Sequence, residues 1–196
     1  RYPGPVITNV ARLNPQKAQH LLLEAAPSVL QRFPQATFLL VGKGHLENNL
    51  RQQAQALGIS QHGVFTGVRH DIPDILAQTD IFVLPSRWEG LPLSAIEAMA
   101  AARAVLVTDV GGNSELVESG RSGIVIPPAD VGALTDSLLS LLADEAMRMT
   151  LGAAARQRVQ LIFSTERFIQ QYEAVYTQLG LHLPISQAQS LQEIVV

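Results

Sequence analysis

Cysteine is absent from all 196 residues, so neither disulfides nor thiol chemistry contribute to this protein. No apolar run approaches the roughly 20 residues that cross a bilayer, and nothing resembles a signal peptide. There is no surplus of positive charge: the formal net charge is −3, which gives no electrostatic footprint for nucleic acid. No Asp-x-Asp pair occurs, so the usual ligands for a metal-bridged diphosphate are missing, and no metal site is expected. The five histidines (His20, His45, His62, His70, His182) show no metal-ligand spacing. The GKG at 42–44 lacks a third glycine, with Glu47 at that place, which argues against a dinucleotide loop. What remains is 47% hydrophobic, ample apolar material for one α/β domain and too short a chain for two.

The most informative segment is PSRWEGLPLSAIEAMA at 85–100. An apolar run, DIFVLPS at 80–86, reads as a buried strand leading into it, and the Ala-rich stretch from Leu93 reads as a helix. Such a junction aims the helix's free N–H groups and positive dipole end at one spot, which suits an anion. Pro92 fits a first helical turn, and Gly90 lets a ligand approach the backbone. The amides of Gly90, Leu91 and Leu93 are therefore candidate anion donors. Glu89 precedes the helix and Glu97 lies in its second turn, with its side chain leaning back toward the mouth. Two carboxylates flanking an anion site are placed to accept hydrogen bonds from vicinal hydroxyls. A solvated loop charge at Glu89 and a favourable early helix charge at Glu97 are the structural alternatives.

A second segment, VITNVARLNPQKAQHLLLEAA at 6–26, reads as strand, Asn14-Pro15 turn and helix from Lys17 onward. Arg12 would leave the carboxyl end of the strand and Lys17 would open the helix, where open α/β sheets bind ligands. Strand signals recur at 6–11, 36–41, 63–66, 80–84, 104–108 and 123–126. Helical signals fall at 17–32, 45–57, 72–78, 93–102, 113–119, 131–143, 146–161 and 165–179. This alternation predicts an α/β fold: a single Rossmann-like domain with a parallel sheet of about six strands, covered by helices on both faces. Pro27 predicts a kink or break in the first helix, and Asp130 and Ser164 are expected N-caps. Trp88, the only tryptophan, either stacks on a ligand or covers its loop.

Taken in order, these landmarks resemble the C-terminal, donor-binding domain of a family 4 retaining glycosyltransferase, one half of a GT-B fold. The resemblance rests on Arg12 and Lys17, Gly42 and Gly44, Gly67, and Pro85 to Ala98 with its Glu-x7-Glu spacing. It continues through Thr108, Gly111, Gly112 and Glu115 in TDVGGNSE, then Gly120, Gly123 and Pro127. It implies that Arg12, Lys17 and the backbone at Gly90–Leu93 bind the diphosphate of a nucleotide sugar, UDP first and GDP second. Glu97 would hold the ribose hydroxyls, and Glu89 would contact the transferred hexose and orient its anomeric carbon. Gly42 and the backbone at Val68 and Arg69 would border the base. On this reading Glu89 and Glu97 are the catalytic carboxylates, no cofactor beyond the donor substrate is needed, and plain UDP or GDP binding is nearly indifferent to Glu89. The departing phosphate would take the acceptor's proton, with retention at the anomeric carbon.

The resemblance also implies partners: a nucleotide sugar, an N-terminal acceptor domain in cis or trans, and a glycan or glycolipid acceptor of polysaccharide or lipopolysaccharide synthesis. The chain enters the donor domain almost at once, after RYPGP, so it reads as half an enzyme: an excised piece, a fragment or a subunit. It is expected to bind nucleotide yet be inactive alone. Residues 1–180 form the donor domain, and the tail at 181–196 is expected to pack toward the absent domain or to be partly disordered. A cytoplasmic location is expected, at the inner membrane face if the absent domain associates peripherally. The family's Lys-Gly pair is Lys17-Ala18 here, and the Gly and Pro usual after the second glutamate give way to Ala102, Arg103 and Ala104. The competing readings are a GT-B epimerase or synthase and a nucleotide-sugar-binding regulatory subunit without catalysis. A two-carboxylate glycoside hydrolase would have no use for the basic residues.

Overall fold

The apolar runs pair into one parallel sheet in a computed structural model that describes residues 2–180. The tail at 181–196, expected to pack or to be disordered, lies outside the described residues. The strands are β1 (Val6–Val10), β2 (Thr37–Val41), β3 (Gly63–Gly67), β4 (Ile81–Leu84), β5 (Ala104–Thr108) and β6 (Ile124–Ile126). Their spatial order is β3-β2-β1-β4-β5-β6, and every pairing is parallel. β2, β4 and β5 are buried at every residue, as expected of strands covered on both faces.

The helices are α1 (Gln19–Arg32), α2 (Glu47–Ala56), α3 (Ile72–Ala77), α4 (Leu93–Ala100), α5 (Asn113–Leu116), α6 (Val131–Ala143), α7 (Glu145–Ile162) and α8 (Thr165–Gln178). One core layer joins Leu22, Ala25, Ala26 and Val29 of α1 with Leu134, Leu138 and Leu141 of α6, over Ile7, Phe38, Ile81 and Leu106 of the sheet. The opposite face packs Val6, Leu39 and Val41 against Ile75 of α3. A fold boundary falls within α7: among the described residues, those up to Val159 form one compact unit and residues 160–180 belong to another. In that second unit Ser164 caps Arg167 N at 3.2 Å, and the rings of Phe168 and Tyr172 lie 4.5 Å apart.

Three expectations are corrected. The break expected at Pro27 does not occur: α1 continues through it, because the buried faces on either side are held by the core. The first helix does not begin at Lys17. A 3-10 turn covers Pro15–Lys17, Asn14 accepts from Lys17 N, and Ala18 adopts a left-handed conformation (φ 48°) before α1 starts. α5 is a single turn rather than seven residues, since Val117 is extended and buried and the Ser122 hydroxyl takes the Glu118 amide. Asp130 caps α6 as expected, accepting from Ala133 N at 2.8 Å.

Candidate functional site

The sheet order reverses between β1 and β4, and ligands of open α/β sheets bind in the crevice at the carboxyl ends of the strands there. The two segments singled out from sequence leave those two strands. They are sewn together by backbone and side-chain bonds: Arg87 N donates to Gln16 O at 2.7 Å, and Gln16 Nε2 donates to Trp88 O at 3.0 Å. Beneath them Asn9 Nδ2 donates to Val83 O at 2.8 Å, while Gln19 Nε2 reaches Asn9 Oδ1 at 3.2 Å and Arg12 O at 3.0 Å.

The central contact is an ion pair. Lys17 Nζ lies 2.5 Å from Glu89 Oε1, with side chains only 14% and 4% exposed. The buried Ser86 hydroxyl donates to the same oxygen at 2.6 Å, and Thr108 Oγ1 donates to Ser86 O at 2.6 Å. Glu89 is therefore fixed by three successive links, not left as a solvated loop charge. The loop after β5 presses on it from the far side: Gly112 N donates to Gly90 O at 3.1 Å, and a Cβ on Gly111 would sit 1.8 Å from Glu89 O.

The mouth of α4 matches the anion reading. The Pro92 carbonyl accepts from Ala95 and Ile96, while the amides of Gly90, Leu91, Leu93 and Ser94 donate to no group among the described residues. Gly90, Leu91 and Leu93 are exposed, the two leucines at 54% and 66%. Glu97 is exposed in the second turn of α4 and makes no ion pair among the described residues. Arg12 is likewise exposed and without an ion pair there, on the loop leaving β1. Gly42 bridges to Gly67, its N–H donating to Gly67 O at 2.8 Å, so the ends of β2 and β3 adjoin the Arg12 loop. A Cβ on Gly42 would lie 2.0 Å from Ala11 O. Val68 and Arg69 follow directly and are exposed, with the Arg69 guanidinium engaged by Asp71. That pairing raises the Arg69 pKa and lowers that of Asp71, chiefly through their mutual hydrogen bond. Trp88 is 56% exposed beside the ion pair.

Sequence reasoning places the carboxylates and Lys17 but misses the hydroxyls of Ser86 and Thr108 and the Ser94 amide. Ser86 is visible as the residue three before Glu89, a spacing that brings a strand-end hydroxyl against a loop carboxylate. Among the described residues no cluster of His, Cys, Asp and Glu is arranged to hold a metal ion, and no helix is long and apolar enough to cross a membrane.

The doubly wound parallel sheet, with the Lys17–Glu89 pair and the exposed mouth of α4 at its switch point, defines an open α/β domain of the nucleotide-binding architecture. Its family follows from comparison with known proteins. Residues 3–158 match the family model of glycosyl transferases group 1, and the chain belongs to that family, of the family 4 type. It is 34% identical over 147 residues to the UDP-Gal:alpha-D-GlcNAc-diphosphoundecaprenol alpha-1,3-galactosyltransferase of Escherichia coli, covering 74% of this chain and 38% of that protein. It is also 34% identical over 161 residues to a GDP-mannose-dependent alpha-(1-6)-phosphatidylinositol monomannoside mannosyltransferase of Mycolicibacterium smegmatis, covering 78% and 42%. The chain thus spans about two-fifths of the length of these relatives. Among solved structures, Anabaena HepE in complex with UDP and glucose superposes with a TM-score of 0.83 at 28% identity, over 89% of this chain and 48% of that one. The C-terminal domain of a group 1 glycosyl transferase from Francisella tularensis gives a TM-score of 0.77 at 26% identity, over 83% and 88%. The fold is one half of a GT-B glycosyltransferase.

Proposed function

We propose that this chain is the donor-binding half of a retaining glycosyltransferase that moves a hexose from a nucleoside diphosphate sugar to a glycan or glycolipid acceptor. The observation that carries this reading is the convergence of Lys17, the unpartnered amides from Gly90 to Ser94 and the Glu89 carboxylate on the β1/β4 switch point. Lys17, Arg12 and the helix mouth meet the diphosphate, which supplies the charge compensation without a metal ion. Glu97 takes the ribose hydroxyls, Glu89 the hexose hydroxyls, and the backbone of Gly42, Val68 and Arg69 borders the base. UDP is the first choice of nucleotide and GDP the second, and the named donors of the relatives include both. In the transfer, the bond from the anomeric carbon to the phosphate oxygen breaks. The acceptor oxygen bonds to the same face of that carbon, and its proton passes to the departing phosphate. The cations stabilise the charge that develops there. The acceptor pocket belongs to the part of the relatives that this chain does not span, so the chain binds nucleotide without turnover and works at the cytoplasmic side, where nucleotide sugars are made.

Thermal denaturation with ligand tests this. A ligand at 100 times its Kd adds about 2.7 kcal/mol, and each kcal/mol moves Tm by roughly 2–4 °C at this size. UDP or GDP is thus expected to raise Tm by about 5–10 °C, a shift eroded in Lys17→Ala and Arg12→Ala. Absence of a shift with every nucleoside diphosphate refutes donor binding, and robust transfer by this chain alone refutes its inactivity in isolation.

A further inference from the structure

The family resemblance assigns Lys17 and Glu89 to different parts of the donor, cation to phosphate and carboxylate to sugar, yet in the structure they hold each other. We infer that Glu89 is a built-in competitor of the diphosphate. Paired with Lys17, it occupies the cation that the phosphates require, and it turns away only when sugar hydroxyls take its oxygens. The inference rests on the donor-site reading, replaces its expectation that bare nucleotide binding is nearly indifferent to Glu89, and adds a specificity device: the site selects nucleotide sugar over bare nucleotide.

The structure supports this at both ends of the pair. The contact at 2.5 Å is nearly desolvated, so it is stronger than an exposed surface pair. The backbone of each partner is fixed. The Lys17 amide is held by Asn14, whose side-chain and main-chain oxygens both lie 3.2 Å away. Glu89 is gripped by Ser86, and its backbone is wedged against Gly111. Phosphate entering beside Lys17 therefore meets an anion in a poorly screened position, and no protein cation among the described residues replaces Lys17 on Glu89. A diphosphate arriving with its hexose brings sugar hydroxyl donors for that carboxylate, whereas the only hydroxyls of a bare nucleoside diphosphate are those of the ribose, which Glu97 takes. After transfer the hydroxyls leave, Glu89 returns to Lys17, and the product nucleotide loses its cation.

Isothermal titration of the chain and of Glu89→Gln with inorganic pyrophosphate, UDP, GDP, UDP-glucose and GDP-mannose tests this. Glu89→Gln is nearly isosteric; it removes the charge and exchanges one acceptor oxygen for an NH2 donor, while its remaining oxygen can still accept from Ser86. It is expected to bind pyrophosphate and bare nucleoside diphosphate roughly five- to thirty-fold more tightly than the unmodified chain, while its preference for nucleotide sugar over nucleotide falls. A folded Glu89→Gln that binds them equally or more weakly overturns the inference while leaving the donor site standing. Failure of the unmodified chain and every variant to bind any of the five probes removes the donor site and the inference together. Should Glu89→Gln fail to fold, Glu89→Asp draws the carboxylate back by one methylene and opens the ion pair. A smaller tightening is then expected, and unchanged affinity overturns the inference.

Discussion

Replacing Gly111 by alanine isolates the contact that positions Glu89. Gly111 has φ +50°, and an added Cβ would lie 1.8 Å from the Glu89 carbonyl oxygen and 2.9 Å from its carbon. Two costs combine. The left-handed backbone costs an L-residue about 1 kcal/mol, and displacing a packed neighbour costs about 1–3 kcal/mol more. The atom struck is main chain, which cannot rotate aside, so a total of about 3 kcal/mol is expected. At this size that lowers Tm by roughly 6–12 °C. Gly58→Ala supplies the control: Gly58 has φ +70°, and a methyl added there would meet nothing within 4 Å. Only the backbone cost applies to it, about 1 kcal/mol or roughly 2–4 °C. Because the Glu89–Gly90 loop must move in Gly111→Ala, affinity for nucleotide sugar, which engages Glu89 and the Gly90 amide together, should fall as well, while Gly58→Ala leaves it intact. Equal melting shifts for the two variants, or unchanged nucleotide-sugar affinity in Gly111→Ala, would refute the role given to this loop.

Two further outcomes follow from the rest of the chain. The His20 pKa is lowered, first by burial and then by Arg87, with Glu24 opposing. Its folded state therefore binds fewer protons than the unfolded chain, so stability is fully present above about pH 6.5 and declines as pH falls toward the lowered native value. His20→Gln should flatten that slope in denaturant titrations at pH 5 to 7, and an unchanged slope would assign it to other groups. Ala129, exposed with φ 59°, carries left-handed strain without burial to offset it. Ala129→Gly is expected to stabilise by up to about 1 kcal/mol in chemical denaturation, and a loss of stability would show that this turn is not strained.

The sheet is readable from sequence because its strands are continuous apolar runs bounded by turn residues. IFVL of β4 and AVLVT of β5 could be nothing else at that length, and the alternation with helices fixes their parallel sense. Local rules fail where a single residue takes an unusual conformation or tertiary packing overrides propensity. Ala18 in the left-handed region splits what reads as one helix from Lys17, and alanine gives no hint of it. Pro27 is tolerated because it costs α1 one hydrogen bond, while Ala25, Ala26 and Val29 keep the helix seated on the core. In the candidate site, residue types and spacing single out Lys17 and Glu89, which the structure joins, and Arg12 and Glu97, which stand exposed on the neighbouring loop and helix. They cannot reveal that Lys17 and Glu89 pair, since that depends on two loops brought together by strands far apart in the chain. The same holds for Ser86 on Glu89 and for Gly111 against its backbone.

The adjacency of β1 and β4 also bears on biogenesis. Asn9 on the first strand waits for Val83, 74 positions later, before its amide finds the carbonyl it will keep. At ribosomal speeds of roughly 5–20 residues per second, that is a delay of about 4–15 s during which one flank of the strand is open to unwanted pairing. The nascent protein is most exposed to aggregation, and to chaperone capture, at the very seam where its strand order later reverses.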